Sequence, residues 1–225
     1  MGIYIFGMHI MEGFLPIKWA GFWYIAMLPF LYMGVRGLAG SVKNNPRTIL
    51  LIAFVGAFTF VLSALKLPSV TGSSSHATGM GLGAILFGPS VMIVIGLIVL
   101  LFQAVLLAHG GITTLGANVM SMAVIGPFVT YGVYLLLKKM GAPRWAGIFM
   151  GTALGGLATY LVTAIQLALA HPSDIGGFYA SWVKFTGIFA ITQVPIAVVE
   201  GILTVMVFNL LMSYSKQEME SLNLS

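Results

Sequence analysis

Predominantly apolar stretches recur from end to end of this chain, at 19–35, 49–65, 91–107, 119–137, 145–170 and 185–212. A helix needs about 20 such residues to cross the roughly 30 Å hydrocarbon core of a bilayer. Inside that core every backbone N–H and C=O must find its partner within the protein. The pattern restricts the chain to an all-α integral membrane fold. Composition agrees, with 59% hydrophobic and 7% charged residues where a soluble domain carries about 25% charged. No stretch is polar enough for a second, soluble domain. Residues 8–212 read as one transmembrane domain and 213–225 as a polar cytoplasmic tail.

Charge orients the spans. Arg36, Lys43 and Arg47 fill one connection, Lys138, Lys139 and Arg144 another, and Lys216 follows the last span. Lys18, Lys66 and Lys184 flank the opposite ends. Basic residues gather on the cytoplasmic side, so the N-terminus lies outside and the C-terminus inside. Parity then requires an even number of crossings between the outside segment 66–78 and the outside segment 108–118. The apolar piece 79–88 must therefore enter the membrane and 91–107 return, with Gly88-Pro89 as the turn. That makes about seven transmembrane helices, one short and glycine-rich (79–88). A single tilted helix over 79–107, kinked at Pro89, is the alternative, and it breaks the charge pattern downstream. A short, glycine-rich pass cannot face lipid along its length. It should be wrapped by neighbours packed close through Gly79, Gly81 and Gly83, and interrupted segments of this kind mark binding sites in transporters.

The net charge of +5 does not indicate nucleic acid, because the basic residues sit in short connections between apolar runs. Cysteine is absent, so any metal must be held by nitrogen, oxygen or a thioether. There is no His-Glu-x-x-His, no phosphate-binding loop and no Gly-x-Ser-x-Gly. The chain is read as a non-catalytic subunit with no bound cofactor, and any ATP hydrolysis belongs to a separate subunit. Residues 1–7 lack the basic flank of a secretory signal.

Two polar islands, 8–13 and 73–79, each carry one histidine on the outside. If a chain began at Met8, its amine, the His9 amide nitrogen and the His9 Nδ1 would chelate one ion through a five-membered and a six-membered ring. These three nitrogens lie in one plane, and His76 can supply the fourth. Planar nitrogen sites suit Ni²⁺, Cu²⁺ and low-spin Co²⁺. Affinity should fall at acid pH because the amide proton leaves on binding. The competing reading makes each histidine an amphipathic residue near lipid headgroups. Residues 1–7 stand against the chelate while attached. Either translation starts at Met8, or the stretch is clipped after Gly7, or the site is built another way.

Around these ligands, His109 and Asn118 bracket the loop 109–118, with Ser75 beside His76 and Glu12 close to His9. They are candidates to orient a ligating imidazole, although a plain connecting loop is the stronger reading for His109. Glu12 can add negative potential or cap the first helix. Glu200 is an intramembrane carboxylate that should face the bundle interior, steering a cation or making a structural hydrogen bond. Gln103 and Gln166 read as links between helices, and His171 as a loop residue.

Several ordered motifs resemble the CbiM-type substrate-specific membrane component of cobalt energy-coupling-factor transporters. They are Met-His-Ile-Met-Glu-Gly-Phe-Leu-Pro at 8–16, Ser-Ala-Leu-Lys-Leu-Pro-Ser-Val-Thr-Gly at 63–72, Ser-His-Ala-Thr-Gly at 75–79 and Leu-Leu-Ala-His-Gly-Gly-Ile-Thr-Thr-Leu-Gly-Ala-Asn at 106–118. Ser-Met-Ala-Val-Ile-Gly-Pro at 121–127 and Gln-Val-Pro-Ile-Ala-Val-Val-Glu-Gly at 193–201 complete the set. The resemblance implies a seven-helix subunit that captures Co²⁺ at the extracytoplasmic face and supplies cobalamin synthesis. It implies Met8, His9 and His76 as ligands, and CbiN, the coupling subunit CbiQ and the ATPase CbiO as partners. The related nickel branch begins Met-His-Ile-Pro-Asp-Gly, so Met11-Glu12 favours cobalt. The rivals are the same machine carrying Ni²⁺, a passive channel or non-metal solute carrier, and an intramembrane metalloenzyme for which Glu12 is the one candidate acid or base.

Overall fold

The computed structural model describes residues 9–44, 46, 48–68, 74–215, 218–219 and 222. Met8, Arg47, Lys216 and the extension 1–7 lie outside the described residues. The helices are α1 (Ile17–Asn44), α2 (Thr48–Ala64), α3 (Met80–Phe87), α4 (Pro89–Leu107), α5 (Leu115–Asn118), α6 (Gly126–Lys139), α7 (Arg144–Ala170) and α8 (Gly177–Tyr214). A π-helical turn over Val119–Ile125 joins α5 to α6, giving one continuous helical span, Leu115–Lys139. Among the described residues, five helical stretches are long and apolar enough to cross a membrane, and α2 is a shorter apolar helix of 17 residues. Outward-facing Ile25, Leu50, Val105 and Ile191 are all well exposed, as the lipid-facing side of a bundle must be.

The segment 79–88 separates from the span that follows it. Gly88 adopts φ 82°, which breaks the helix, and Pro89 opens α4. Its missing N–H would be unpaired there in any case. A side chain on Gly83 would meet Met92, and one on Gly96 would meet Met80. Pairs that converge in this order belong to antiparallel helices, so α3 and α4 form a hairpin and not one kinked rod.

Every residue of α3 from Met80 to Leu86 is buried. An eight-residue helix leaves a large share of its backbone groups without helical partners, so it must lie inside the protein. Glycine allows the approach. A Cβ on Gly81 would stand 2.5 Å from Thr152 Oγ1 of α7, and one on Gly83 2.5 Å from Val55 of α2. Gly79, at φ +69°, lies so near α2 that a Cβ would reach 2.7 Å from the Thr59 Cα. Gln103 Nε2 donates to Ser63 Oγ at 2.7 Å, linking α4 to α2, and Gln166 Nε2 donates to the Ala117 carbonyl at 3.0 Å, linking α7 to α5.

Several boundaries differ from the sequence expectation. Arg36 and Lys43 belong to the last turns of α1, not to a loop. Leu38 and Val42 pack on the core there, and Gly37 lies so close to α4 that a Cβ would be 2.6 Å from Ser90 Oγ, so packing carries the helix past the bilayer limit. Residues 115–118, expected as loop, form α5, with Gly116 set against the backbone of Tyr24. Lys184 lies within α8, which begins at Gly177 and ends at Tyr214. At about 1.5 Å per residue its 38 residues outrun the hydrocarbon core, so the helix extends into the interface.

Replacing Gly79 with Ala should lower the detergent melting temperature by several degrees, from overpacking that costs about 1–3 kcal/mol added to left-handed strain. Gly132→Ala, inside α6 with a Cβ that would meet nothing within 4 Å, should leave melting unchanged or raise it slightly, because alanine favours a helix interior. Equal melting of the two variants would contradict the close α3–α2 contact.

Candidate metal centre

Three connections meet at one end of the bundle: the segment before α1, the strand-like turn before α3, and the turn after α4. Leu67–Pro68 pairs antiparallel with Ser74–Ser75, returning the chain from α2 towards α3. Beyond this ribbon, the backbone N–H of Thr78 and Gly79 and the Thr78 hydroxyl all donate to the Glu200 carboxylate of α8, at 2.9, 2.8 and 2.6 Å. These donors stand at the start of α3, where helical N–H groups have no partner and negative charge is favoured. Ser75 Oγ lies 2.6 Å from Thr192 Oγ1, also on α8. The loop that carries His76 is thus bonded to a single helix at two levels.

The segment before α1 is held by the turn after α4. Asn118 accepts from the Ile10 N–H at 2.9 Å and returns its side-chain N–H to the Ile10 carbonyl at 3.1 Å. Thr114 Oγ1 donates to that same carbonyl at 2.6 Å. The residue after His9 is thereby clamped on both polar groups. Glu12 accepts from the Thr113 N–H at 3.1 Å, and its own N–H donates to the Gly110 carbonyl at 3.2 Å. Hydrogen bonding from the Thr113 side chain, helped by backbone N–H groups, holds the Glu12 carboxyl below its usual range against the opposing effect of desolvation. That carboxylate serves the loop and does not cap α1, which begins five residues later. His171 Nε2 sits 2.8 Å from the Phe14 carbonyl, tethering the other end of the segment to the turn before α8.

Between these clamps lie His9, His76 and His109, all buried. His9 Nδ1 is 2.8 Å from His76 Nε2 and 2.7 Å from His109 Nε2. Their facing nitrogens all lie within 4.8 Å of one another. The His9 and His76 rings stack at 4.5 Å, while His109 meets both edge-on. The chain reaches His109 through Ala108, which takes φ 47°. A left-handed non-glycine residue costs about 1–2 kcal/mol, and such strain gathers at functional positions.

Proton counting shows what the cluster can do. His76 Nδ1 lies 2.8 Å from the Ala77 carbonyl, which can only accept. The proton therefore sits on Nδ1, and His76 Nε2 presents a lone pair to His9. If His9 Nδ1 carries a proton, that one proton is divided between two acceptors. If His9 Nδ1 is bare, two lone pairs oppose each other across 2.8 Å. No tautomer gives each contact its own hydrogen bond. One cation among the three nitrogens satisfies all of them.

Burial also keeps the rings neutral. It lowers His76 to about 4 and His109 to about 3, because desolvation disfavours the charged form. His9 falls well below its usual value for the same reason, with further contributions from His76, His109 and Lys66. A neutral imidazole is the form that ligates a metal.

The sequence-derived candidates are distributed as follows. His9 and His76 come together, with the His9 Nδ1 that the chelate argument requires turned towards His76 Nε2. Met8 lies outside the described residues. Asn118 and Glu12 fix the backbone around His9, and Ser75 fixes the ribbon before His76. His109, favoured as a connecting residue, has its ring among the other two. Glu200 bonds the loop of His76. Its spacing from that loop in sequence is 122 residues, which no local pattern could signal.

The family model described as the cobalt uptake substrate-specific transmembrane region, CbiM, matches residues 9–218. A protein of Acetohalobium arabaticum named cobalt transport protein CbiM is 62% identical over 220 residues, covering 97% of this chain and 87% of that protein. One of the same name from Moorella thermoacetica is 58% identical over 219 residues, covering 97% and 85%. A crystal structure described as a truncated transition metal transporter superposes with a TM-score of 0.78 at 28% identity, covering 92% of this chain and 99% of that one. With these matches running almost its whole length, the chain belongs to the CbiM family of multi-pass membrane proteins.

Proposed function

We propose that this chain is the ion-capturing membrane subunit of an ATP-driven cobalt importer. The observation that carries this reading is the meeting of His9 Nδ1, His76 Nε2 and His109 Nε2, three ring nitrogens with too few protons to bond one another. Co²⁺ is the cargo, in keeping with the names of the relatives. In a chain that begins at Met8, its amine joins the His9 amide, His9 Nδ1 and His76 Nε2 in a planar set. The asymmetry of basic residues supports a triad at the extracytoplasmic face and a cytoplasmic C-terminus. Seven crossings, with α3 as the short one, satisfy that orientation. The chain has no phosphate-binding loop, so energy comes from a separate ATPase of the CbiO type, through CbiQ, with CbiN as a small membrane partner.

In this arrangement the protein contributes a desolvated, neutral donor set and the two clamps that hold it. Asn118 and Thr114 set the backbone next to His9, and Glu200 sets the backbone next to His76. Ni²⁺ is the competing cargo, since planar nitrogen donors accept both ions.

Calorimetry on the purified chain should show Co²⁺ affinity falling about 100-fold or more in His9→Ala and in His76→Ala, beyond the 10–100-fold cost of losing a supporting residue. Unchanged affinity in both variants would overturn the site. Competition between Co²⁺ and Ni²⁺ in uptake assays separates the two cargoes.

The pH dependence has a definite sign. His76 and His109, at about 4 and about 3, are neutral from pH 5 upwards, so imidazole protons do not compete there. The amine, with an ordinary pKa of about 7.7–8.0, and the amide must each release a proton. Affinity should therefore rise from pH 6 to pH 8, with about two protons released per Co²⁺ at pH 7. Calorimetry in buffers of different ionisation enthalpy reads that number. A flat profile would mean that the terminal chelate does not form.

Glu200→Gln should weaken Co²⁺ binding about 10-fold while the visible spectrum of the bound ion stays the same, because it loosens the loop without removing a donor. A changed spectrum at full affinity would contradict the positioning role.

A further inference from the structure

We infer that the cleft between the last turn of α6 and the first turn of α7 binds the phosphate of an anionic phospholipid; placing that lipid in the cytoplasmic leaflet rests on the orientation proposed above. The helical stretch Leu115–Lys139 starts beside the histidines and finishes at the opposite end of the bundle, where the turn 140–143 leads into α7. A cleft of about 110 Å³ opens there, lined by Tyr134, Lys138, Ala142, Pro143, Arg144 and Gly147. One water needs only about 10–15 Å³, so the cleft has room for a larger polar group.

Its charge is one-sided. Lys138 and Arg144 bring a cation from each helix, and neither makes an ion pair among the described residues. Arg36, at the same end, differs, because its guanidinium lies 5.2 Å from the centre of the Tyr32 ring. Lys138 suits the carbonyl end of α6, but Arg144 opens α7, where the helix dipole already presents positive charge. No acidic residue stands in the first turn of α7, and Pro143 offers no side-chain cap. The N–H groups of Arg144 and Trp145 precede any helical partner. The turn itself is already closed, since the N–H groups of Met140, Gly141 and Ala142 donate to the carbonyls of Leu136, Lys138 and Leu137 at 3.0, 3.1 and 3.0 Å. Two cations and a helix N-terminus around one space suit an anion with several acceptor oxygens.

A buried hydroxyl supplies an independent observation. Tyr134 is 5% exposed, and its ring lies against Gly147, where a Cβ would stand 3.2 Å from the Tyr134 Cδ2. Its hydroxyl makes no hydrogen bond among the described residues and is not sealed inside the protein. The cleft that Tyr134 lines is therefore its route to a partner. A buried donor without an acceptor is costly, and a phosphate oxygen is an acceptor. The surroundings favour lipid over a dissolved anion. Leu135, Leu136, Met140 and Trp145, next to the lining residues in the chain, are all well exposed. They offer acyl chains an apolar wall, with Trp145 at the level where aromatic side chains meet headgroups. Basic clefts between helices on the cytoplasmic side recognise anionic headgroups in this way.

The test is native mass spectrometry of the purified chain in detergent, titrated with phosphatidylglycerol or phosphatidylcholine. The anionic lipid should bind about 5-fold more tightly or better. Arg144→Gln should weaken phosphatidylglycerol about 5-fold, and Lys43→Gln, which removes a charge at the same end outside the cleft, less than about 2-fold. Equal binding of the two lipids, or equal loss in the two variants, overturns the site. Inorganic phosphate should not displace the lipid; displacement assigns the cleft to a free anion and overturns the lipid. Should Arg144→Gln fail to fold, Tyr134→Phe decides, because it removes only a hydroxyl that bonds nothing in the protein. It should weaken phosphatidylglycerol about 3-fold, and unchanged affinity overturns the site. The leaflet is read separately. The chain has no cysteine, so Met140→Cys places a single thiol beside the cleft. An impermeant maleimide should label it in inside-out vesicles and not in right-side-out ones. The reverse result overturns the orientation and the cytoplasmic leaflet, while binding measured in detergent stands on its own.

Discussion

The reversal at Gly88-Pro89 is the constraint from which the rest of the architecture follows. By turning α4 back along α3, it leaves an eight-residue helix too short to stand in lipid. That helix is stable only with its backbone approached from several sides, which is why glycine stands at 79, 81 and 83 where α2 and α7 press in. The same burial places the first turn of α3 deep enough to need a carboxylate, and Glu200 of α8 supplies it. The loop ahead of α3 is then held, and His76 with it.

Much of this architecture was legible because a bilayer allows few solutions. Apolar run length, basic-residue asymmetry and parity together separated 79–88 from 91–107, and the hairpin has that form. The ends of the helices were less legible. Arg36 and Lys43 look like loop residues because charge marks the bilayer limit, yet Leu38 and Val42 continue to pack and carry the helix further. The helix at Leu115 was hidden by the glycines around it, of which Gly116 serves close contact with α1 and not a turn.

The candidate centre was half legible. His9 and His76 stood out because each lies in a short polar island, and His9 has a chelating neighbour in Met8. His109 did not, since Gly110 and Gly111 make its surroundings look like an ordinary connection. Its signal is three-dimensional: an edge-on ring, a strained residue before it, and a nitrogen already claimed by another imidazole. Asn118 was noticed as a polar residue at the end of that loop, but its two-point bond to the Ile10 backbone joins residues 108 apart in sequence, which no periodicity announces.

The ribbon and loop over 74–79 are bonded to α8 through Thr192 and again through Glu200. Those two residues lie eight apart, about two helical turns, with Pro195 between them. Two attachment points define a lever arm, whereas one would leave a free pivot. The segment of His76 is thus held from both sides of that proline, while the segment of His9 is bonded to the turn after α4 and, through His171, to the turn before α8. One long helix therefore sets where His76 stands relative to the other two rings.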